Sequence, residues 1–117
     1  MKNFDTCLHN NEHNETVKKA KQEMFSTNLI NDISNLLKIL GEPSRLKVVL
    51  ALSKGEMCVN HIVEACESNQ SLISHQLRIL KDNKIVKSRR DGQSIVYSLD
   101  DEHIMQIVSL VKTHVEE

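Results

Sequence analysis

The chain has 117 residues, with 15 Lys and Arg against 16 Asp and Glu, so its formal net charge is −1. This length predicts one domain, residues 15–117, behind a polar, flexible arm of residues 1–14. No apolar run approaches the roughly 18 residues of a membrane span, and the polar start shows no export signal. We therefore expect a cytoplasmic protein whose three cysteines, Cys7, Cys58 and Cys66, are free or bound to metal.

The charge is unevenly distributed along the chain. From His75 to Asp91, six basic side chains stand against two acidic ones, a net charge of +4 that leaves −5 for the remainder. An acidic body with one basic stretch favours a polyanionic partner that a single face contacts. A solvated, lysine-rich surface is the alternative that charge alone leaves open.

The first half of the folded region predicts helices. Residues 15–25 have a weak helical pattern, and the apolar residues from Ile30 to Leu40 follow the spacing of an amphipathic helix that Gly41 ends. Pro43 then stands where a new helix takes its first residue. The expected buried face of that helix is Leu46, Val49, Leu50 and Leu52.

Two further helices flank a short polar break. The first runs from about Cys58 to Cys66, and the break covers residues 67–69. Ser68 or Asn69 could cap the second helix, from Gln70 to Asp82. Two short helices joined in this way, the second with an exposed polar face, are typical of a helix-turn-helix.

After Asp82 the apolar period changes from 3.6 to 2. The alternating residues are Ile85 and Val86, then Ile95, Tyr97 and Leu99. The Asp91–Gly92 step between them is a tight-turn signal, so the pattern predicts a two-stranded hairpin, or wing. The helical period returns from Asp100 to Glu117. The expected fold is mainly α with a two-stranded β-wing, a winged helix-turn-helix.

The helix predicted from Gln70 to Asp82 has a polar face suited to DNA. A helix in the major groove needs short side chains near its start and hydrogen-bonding groups on one face. The candidate DNA contacts are Gln70, Ser71, Ser74, His75 and Arg78 on this helix, and Arg89, Arg90 and Gln93 on the hairpin. A helical bundle with one exposed polar helix is the alternative, which the basic hairpin disfavours.

Three stretches of the sequence resemble one family of winged-helix repressors. Ser71–Leu80 (SLISHQLRIL) is similar to the SxxSHQLxxL recognition helix of the ArsR/SmtB family. Leu40–Leu46 (LGEPSRL) resembles its LxDPxRL opening, and Gly92–Asp101 its wing and following helix start. The resemblance implies a homodimer, dimerising through its N- and C-terminal helices, that represses an operon and releases operator DNA when an inducer binds, usually a metal ion.

The last predicted helix carries four candidate metal ligands, Asp101, His103, His114 and Glu117. The two histidines share nearly one helix face but lie about 16 Å apart along it, whereas zinc ligands lie about 2 Å from the ion. Two antiparallel copies could unite Asp101 and His103 of one chain with the other two residues of its partner. This donor set suits Zn²⁺, with Co²⁺ as a substitute, and its spacing resembles the site of the family's zinc-sensing branch. A helix-terminal acid and a polar helix edge are the alternative reading.

A second, weaker cluster combines the arm with the start of the short helix. Its candidate ligands are Cys7, His9, His13, Cys58 and His61. Cys58 and His61 have the i, i+3 spacing that shares a helix face. Asn60 stands where the family's thiol-rich cadmium and lead sensors carry a second cysteine, so the resemblance implies a mixed Cys/His site. A disordered arm with a buried Cys58 is the alternative, and Cys66 is expected to be a core residue.

These patterns predict a dimeric, metal-responsive repressor without enzymatic activity. Zn²⁺ is the favoured effector, with Co²⁺ or Cd²⁺ as alternatives. A zinc hydrolase is disfavoured because the chain has no H-E-x-x-H, no phosphate-binding glycine loop and no nucleophile elbow. A pure protein-interaction module would leave the basic hairpin without a purpose. The main rival is a thiol-responsive repressor of the same fold, using Cys7 with Cys58 or Cys66, or a soft-metal-responsive one, using Cys7 and Cys58.

Overall fold

The structure is a computed structural model that describes residues 11–117, and their side chains from residue 14 onward. Its elements are α1 (Asn11–Gln22), α2 (Thr27–Leu40), α3 (Pro43–Leu52), β1 (Met57–Cys58), α4 (Val59–Cys66), α5 (Gln70–Asp82), β2 (Val86–Asp91), β3 (Ser94–Leu99) and α6 (His103–Glu116). The chain divides into two units between Ser34 and Asn35. Within the described residues, no helix is long and apolar enough to cross a membrane.

The first unit contains α1 and the start of α2. Helix α1 begins at Asn11, inside the segment predicted as an arm, and residues 1–10 lie outside the described residues. The Ser26 hydroxyl accepts the Leu29 backbone N–H at 3.1 Å, which satisfies one free donor at the start of α2. Six large apolar side chains of this unit are exposed in the single chain: Val17, Met24, Phe25, Leu29, Ile30 and Ile33.

In the second unit, α3 begins as the sequence predicts. Pro43 is its first residue, and the Glu42 carboxylate caps it by accepting the Arg45 backbone N–H at 2.9 Å. The expected burial of Leu50 is wrong, because its side chain is 42% exposed. Val48 is fully buried instead, since α3 packs on α4 and α5 with that side.

Helices α4 and α5 form the predicted helix-turn-helix. Glu67 adopts a left-handed conformation (φ 51°) in the break, which turns the chain between the two helices. Asn69 caps α5, with its side-chain oxygen accepting the Leu72 N–H at 2.9 Å. The bounds of α5 agree with the prediction, and its apolar stripe of Ile73, Leu77 and Leu80 is buried.

The sheet contains one strand, β1, in addition to the two-stranded hairpin that the sequence predicts. The sheet has three antiparallel strands in the order β1-β3-β2, with Met57 opposite Tyr97 and Cys58 opposite Val96. A two-residue strand is too short to show an alternating pattern, so β1 was not predictable from periodicity. The tight turn is confirmed: Gly92, at φ +66°, opens a two-residue loop between the paired residues Asp91 and Ser94.

Helix α6 is buried against the core only near its N-terminus. It begins at His103 rather than Asp100, and Ile104 is its one buried residue among the described side chains. Towards its C-terminus, α6 borders an open apolar groove of about 460 Å³ within the second unit. The groove is lined by Leu37, Leu40, Gly41, Leu46, Leu50, Ile107, Val108, Val111, Lys112 and Val115.

Candidate DNA-binding and metal-binding sites

The predicted DNA contacts of α5 lie on its exposed side. Gln70, Ser71, Ser74, His75 and Arg78 are all exposed, opposite the stripe that packs into the core. The first N–H groups of a helix have no partner within the helix and attract phosphate. This surface therefore offers short polar side chains, a cation and a helix N-terminus on one side.

The three predicted DNA contacts on the hairpin have different surroundings. Arg90 lies on β2 and Gln93 in the loop, and both are exposed. Arg89 instead forms an ion pair with Glu56, and this carboxylate raises the pKa of the guanidinium above its ordinary value. Sequence reasoning missed Glu56 because only the pairing of β1 with β3 brings it beside the hairpin, and β1 is too short to be predicted from periodicity.

Two of the predicted metal ligands, Asp101 and His103, lie side by side. Asp101 precedes α6, and His103 is the first residue of that helix. Asp101 Oδ1 accepts the His103 backbone N–H at 2.9 Å and lies 3.3 Å from His103 Nδ1. Two atoms that each lie about 2.0–2.1 Å from a tetrahedral zinc ion are about 3.3 Å apart. The side chains are 46% and 75% exposed, so the pair has the spacing and the access that one zinc ion requires.

The other two predicted ligands lie at the far end of α6. His114 is in the last turn, Glu117 follows it, and both are exposed. Eleven residues of helix separate His103 from His114, about 16 Å along the axis. In the part of the chain that the structure describes, no three His, Cys, Asp or Glu side chains could hold one metal ion. One chain therefore keeps the two ligand pairs apart.

The second predicted cluster is only partly described. Cys7 and His9 lie outside the described residues, and His13 lies in α1 without a described side chain. Cys58 ends β1 and is the N-cap residue of α4, with extended backbone, and His61 is the third residue of that helix. Its thiol makes no capping hydrogen bond, and His61 is exposed on α4.

Cys66 lies in the core, as expected. Its side chain is 6% exposed, and burial raises the pKa of its thiol. A raised pKa lowers the thiolate fraction near neutral pH and with it the reactivity towards oxidants. This environment disfavours Cys66 as the partner of a thiol switch.

Known proteins similar to this chain share its fold and its motifs. Residues 42–88, from the α3 cap to β2, match the family described as "Bacterial regulatory protein, arsR family". A transcriptional repressor SmtB homolog of Synechocystis sp. is 36% identical over 90% of this chain and 80% of its own length. A cadmium resistance transcriptional regulatory protein CadC homolog of Staphylococcus aureus is 36% identical over 97% of this chain and 93% of its own length.

A solved structure gives the same result for the fold. The homodimeric winged helix-turn-helix DNA-binding domain of Mb0332 from Mycobacterium bovis, a possible ArsR-family regulator, is 26% identical. It matches with a TM-score of 0.71 over 81% of this chain and 91% of that chain. The predicted winged helix-turn-helix is confirmed, and the chain belongs to the arsR family of bacterial regulatory proteins, which are transcriptional regulators and not enzymes.

Proposed function

We propose that this chain is a homodimeric repressor that binds operator DNA and releases it when Zn²⁺ binds across the dimer. The observation that carries the proposal is the position of the ligand pairs. Asp101 and His103 lie at one end of α6 and His114 at the other. None of them is on the face of α5 that presents Ser71 to Arg78, so metal and DNA would bind at separate sites.

The DNA contacts come from α5 and the hairpin. The exposed residues of α5 enter the major groove with the helix N-terminus leading, and Arg90 and Gln93 contact the phosphate backbone beside it. The basic stretch from His75 to Asp91 carries a net charge of +4. Such a charge supplies the salt-dependent attraction that every DNA-binding surface needs.

The dimer covers the apolar surface of α6. Leu110 and Val115 are each 73% exposed in the single chain, and Val111 is 55% exposed. Exposed apolar patches of this kind mark interaction sites. The occupant is a second copy of the chain, because the relative from Mycobacterium bovis is homodimeric and because only a two-fold axis brings the separated ligand pairs together.

The metal is held by two carboxylates and two imidazoles. Asp101 and His103 of one copy would bind the ion together with His114 and Glu117 of the other, and symmetry makes two equal sites. Four protein ligands leave no open position for chemistry, which fits a regulatory role. The second relative carries cadmium resistance in its name, so the preference for zinc rests on the donor set, which has nitrogen and oxygen ligands only.

Binding of metal and of DNA must weaken each other by the same factor. Zinc would hold α6 of both copies in an arrangement that spaces the two α5 helices poorly for one turn of DNA, about 34 Å. The experiment titrates zinc into a complex of the protein with a duplex that the metal-free wild type selects from a random pool. We expect zinc to release the wild type.

His103→Ala should keep metal-free DNA affinity and lose the response to zinc. Gln106→Ala is the matched control, since it removes an exposed polar side chain of α6 that is not a candidate ligand, and it should respond like the wild type. Cys58→Ser tests the thiol-based rival in the same assay. Unchanged DNA affinity of the wild type at saturating zinc would refute the proposal.

A further inference from the structure

Helix α5 has one buried polar side chain on the face that packs into the core. Among the described residues, Gln76 is the one polar side chain that is buried, at 5% exposure. It follows Ile73 by three positions and precedes Leu80 by four, so it lies within the apolar stripe of the helix. A buried amide is costly unless hydrogen bonds satisfy it.

Both ends of this amide are bonded to the start of α3. The Gln76 side-chain oxygen accepts a hydrogen bond from Arg45 Nη1 at 3.3 Å, and its Nε2 donates to Glu42 Oε1 at 3.4 Å. The same Glu42 oxygen caps α3 by accepting the Arg45 backbone N–H. Two partners at the start of α3, three residues apart, therefore hold the amide from two sides.

Arg45 extends this connection to the end of α2. Its Nε donates to the carbonyl oxygen of Ile39 at 2.9 Å. Glu42, Arg45 and Gln76 thus form one hydrogen-bond network, which we term the amide clamp. It links the C-terminus of α2, the N-terminus of α3 and the buried face of α5. Within the described residues, no buried side-chain polar atom is left without a partner.

The clamp acts on the rotation of α5 about its own axis. Gln76 is two residues from Ser74 and two from Arg78, which places it about 200° around the helix from each. Apolar contacts are non-directional and tolerate small rotations, whereas hydrogen bonds require defined angles. A rotation of about 20° moves a side-chain tip at a radius of about 5–6 Å by about 2 Å. That displacement is larger than a hydrogen bond to a base edge tolerates.

We propose that Gln76 is a positioning residue for sequence recognition, which fixes the rotation of α5 through Arg45 and Glu42. This inference rests on the proposed DNA-binding function. Gln76 itself does not touch DNA, since it is buried on the opposite side of the helix. Its loss weakens discrimination between sequences, while attraction to the phosphate backbone, which comes from exposed cations, is unchanged.

The experiment measures the affinity of metal-free protein for two duplexes at one salt concentration. One duplex is selected from a random pool by the wild type, and the other is a scrambled sequence of the same composition. Gln76→Met replaces the amide by an apolar chain of similar length, and it should lower the ratio of the two affinities about tenfold, the effect of one lost base contact. Its affinity for the scrambled duplex should stay as in the wild type.

A swapped network provides the matched rescue. Gln76→Glu alone sets two carboxylates against each other and should also lose discrimination. Glu42→Gln combined with Gln76→Glu restores one amide and one carboxylate at the same two positions, with the same net charge as the wild type. This double variant should recover the wild-type ratio.

The outcomes separate the inference from the proposed function. A wild type that binds both duplexes equally would contradict the proposed function. A discriminating wild type with equally discriminating Gln76→Met would overturn the inference alone. So would a double variant that folds and does not recover the ratio. Thermal unfolding of each variant shows whether it is folded under the assay conditions.

Discussion

The guanidinium of Arg89 on β2 is bonded to the carboxylate of Glu56, which precedes β1, so the ion pair spans the central strand β3. Arg89 lies opposite Val96, and Val96 also pairs with Cys58 of β1, so the three residues form one row across the strands. Glu56, immediately before β1, thereby places a negative charge beside a cation that is proposed to contact DNA. A carboxylate at this position repels phosphate and competes for Arg89.

We therefore expect Glu56→Gln to bind DNA more tightly than the wild type. Removing one charge several ångströms from a phosphate at high dielectric corresponds to a gain of about threefold per copy, or about tenfold for the dimer, at low salt, and this gain shrinks as salt is added. Fluorescence anisotropy with a labelled duplex measures this change. Glu23→Gln, an exposed residue just after α1, is the control and should not change the affinity. A Glu56→Gln variant with weaker binding would mean that Glu56 positions Arg89 for DNA instead of competing for it.

Replacing Arg90 by Ala should lower the salt dependence of DNA binding. Each phosphate contact contributes about 0.9 to the slope of log affinity against log salt, so two copies in a dimer should reduce the slope by about 1.8. Lys54→Ala, at an exposed position after α3, should leave the slope unchanged. An unaltered slope for Arg90→Ala would show that the tip of the hairpin does not contact the backbone.

A charge in the apolar groove should break the dimer. Val111 lines the groove and is 55% exposed in one chain, so Val111→Glu is expected to preserve the fold of the protomer. Burying its unpaired carboxylate at the interface is unfavourable, and the dimer dissociation constant should rise at least about tenfold by analytical ultracentrifugation. Gln106→Glu, exposed on the same helix, is the charge-matched control. A Val111→Glu protein that dimerises like the wild type would place the interface elsewhere.

The cap of α3 should make stability depend on pH. The pKa of Glu42 is lowered from its ordinary value of 4.5, chiefly because its carboxylate accepts the Arg45 backbone N–H. A lowered pKa means that the stabilisation is fully present above the unfolded value and is lost as the pH falls through the folded value.

The free energy of unfolding of the wild type should therefore exceed that of Glu42→Gln by a constant amount between about pH 7 and pH 5. The difference should shrink as the pH falls below 4.5 and through the lower folded-state pKa, below which the carboxyl group is protonated in both states. Urea denaturation at each pH measures it. A difference that does not change with pH would show that the charge of Glu42 does not contribute to the cap.

Local signals in the sequence predicted the helix-turn-helix and the position of its second helix. Asn69 before an apolar stripe marked the start of α5, and the Asp91–Gly92 step marked the turn of the wing, because capping and turn chemistry depend on a few neighbouring residues. The buried position of Gln76 also had a signal, since its spacing of three residues from Ile73 and four from Leu80 places it within the apolar stripe.

Features that depend on distant parts of the chain were not predictable in this way. Strand β1 exists because Met57 and Cys58 pair with β3, about 40 residues later. The ion pair of Glu56 with Arg89 follows from that pairing, and the exposure of Leu50 follows from how α3 packs. The union of Asp101 and His103 with His114 and Glu117 remains a prediction, because it requires a second copy of the chain.

Each proposed metal site takes ligands from both copies, and a mixed dimer tests this arrangement. One copy carries His103→Ala and the other His114→Ala, with different affinity tags so that the mixed dimer can be isolated. In that dimer, one of the two proposed sites loses both histidines and the other keeps His103 of one copy and His114 of the other.

The measurement is the number of zinc ions bound per dimer by native mass spectrometry. Symmetry predicts two ions for the wild type, none for either variant as a homodimer, and one for the mixed dimer. The return of one bound ion on mixing two inactive variants is possible only if the site crosses the interface. A mixed dimer that binds no zinc, while the wild type binds two ions, would show that the two copies do not share the sites in this way.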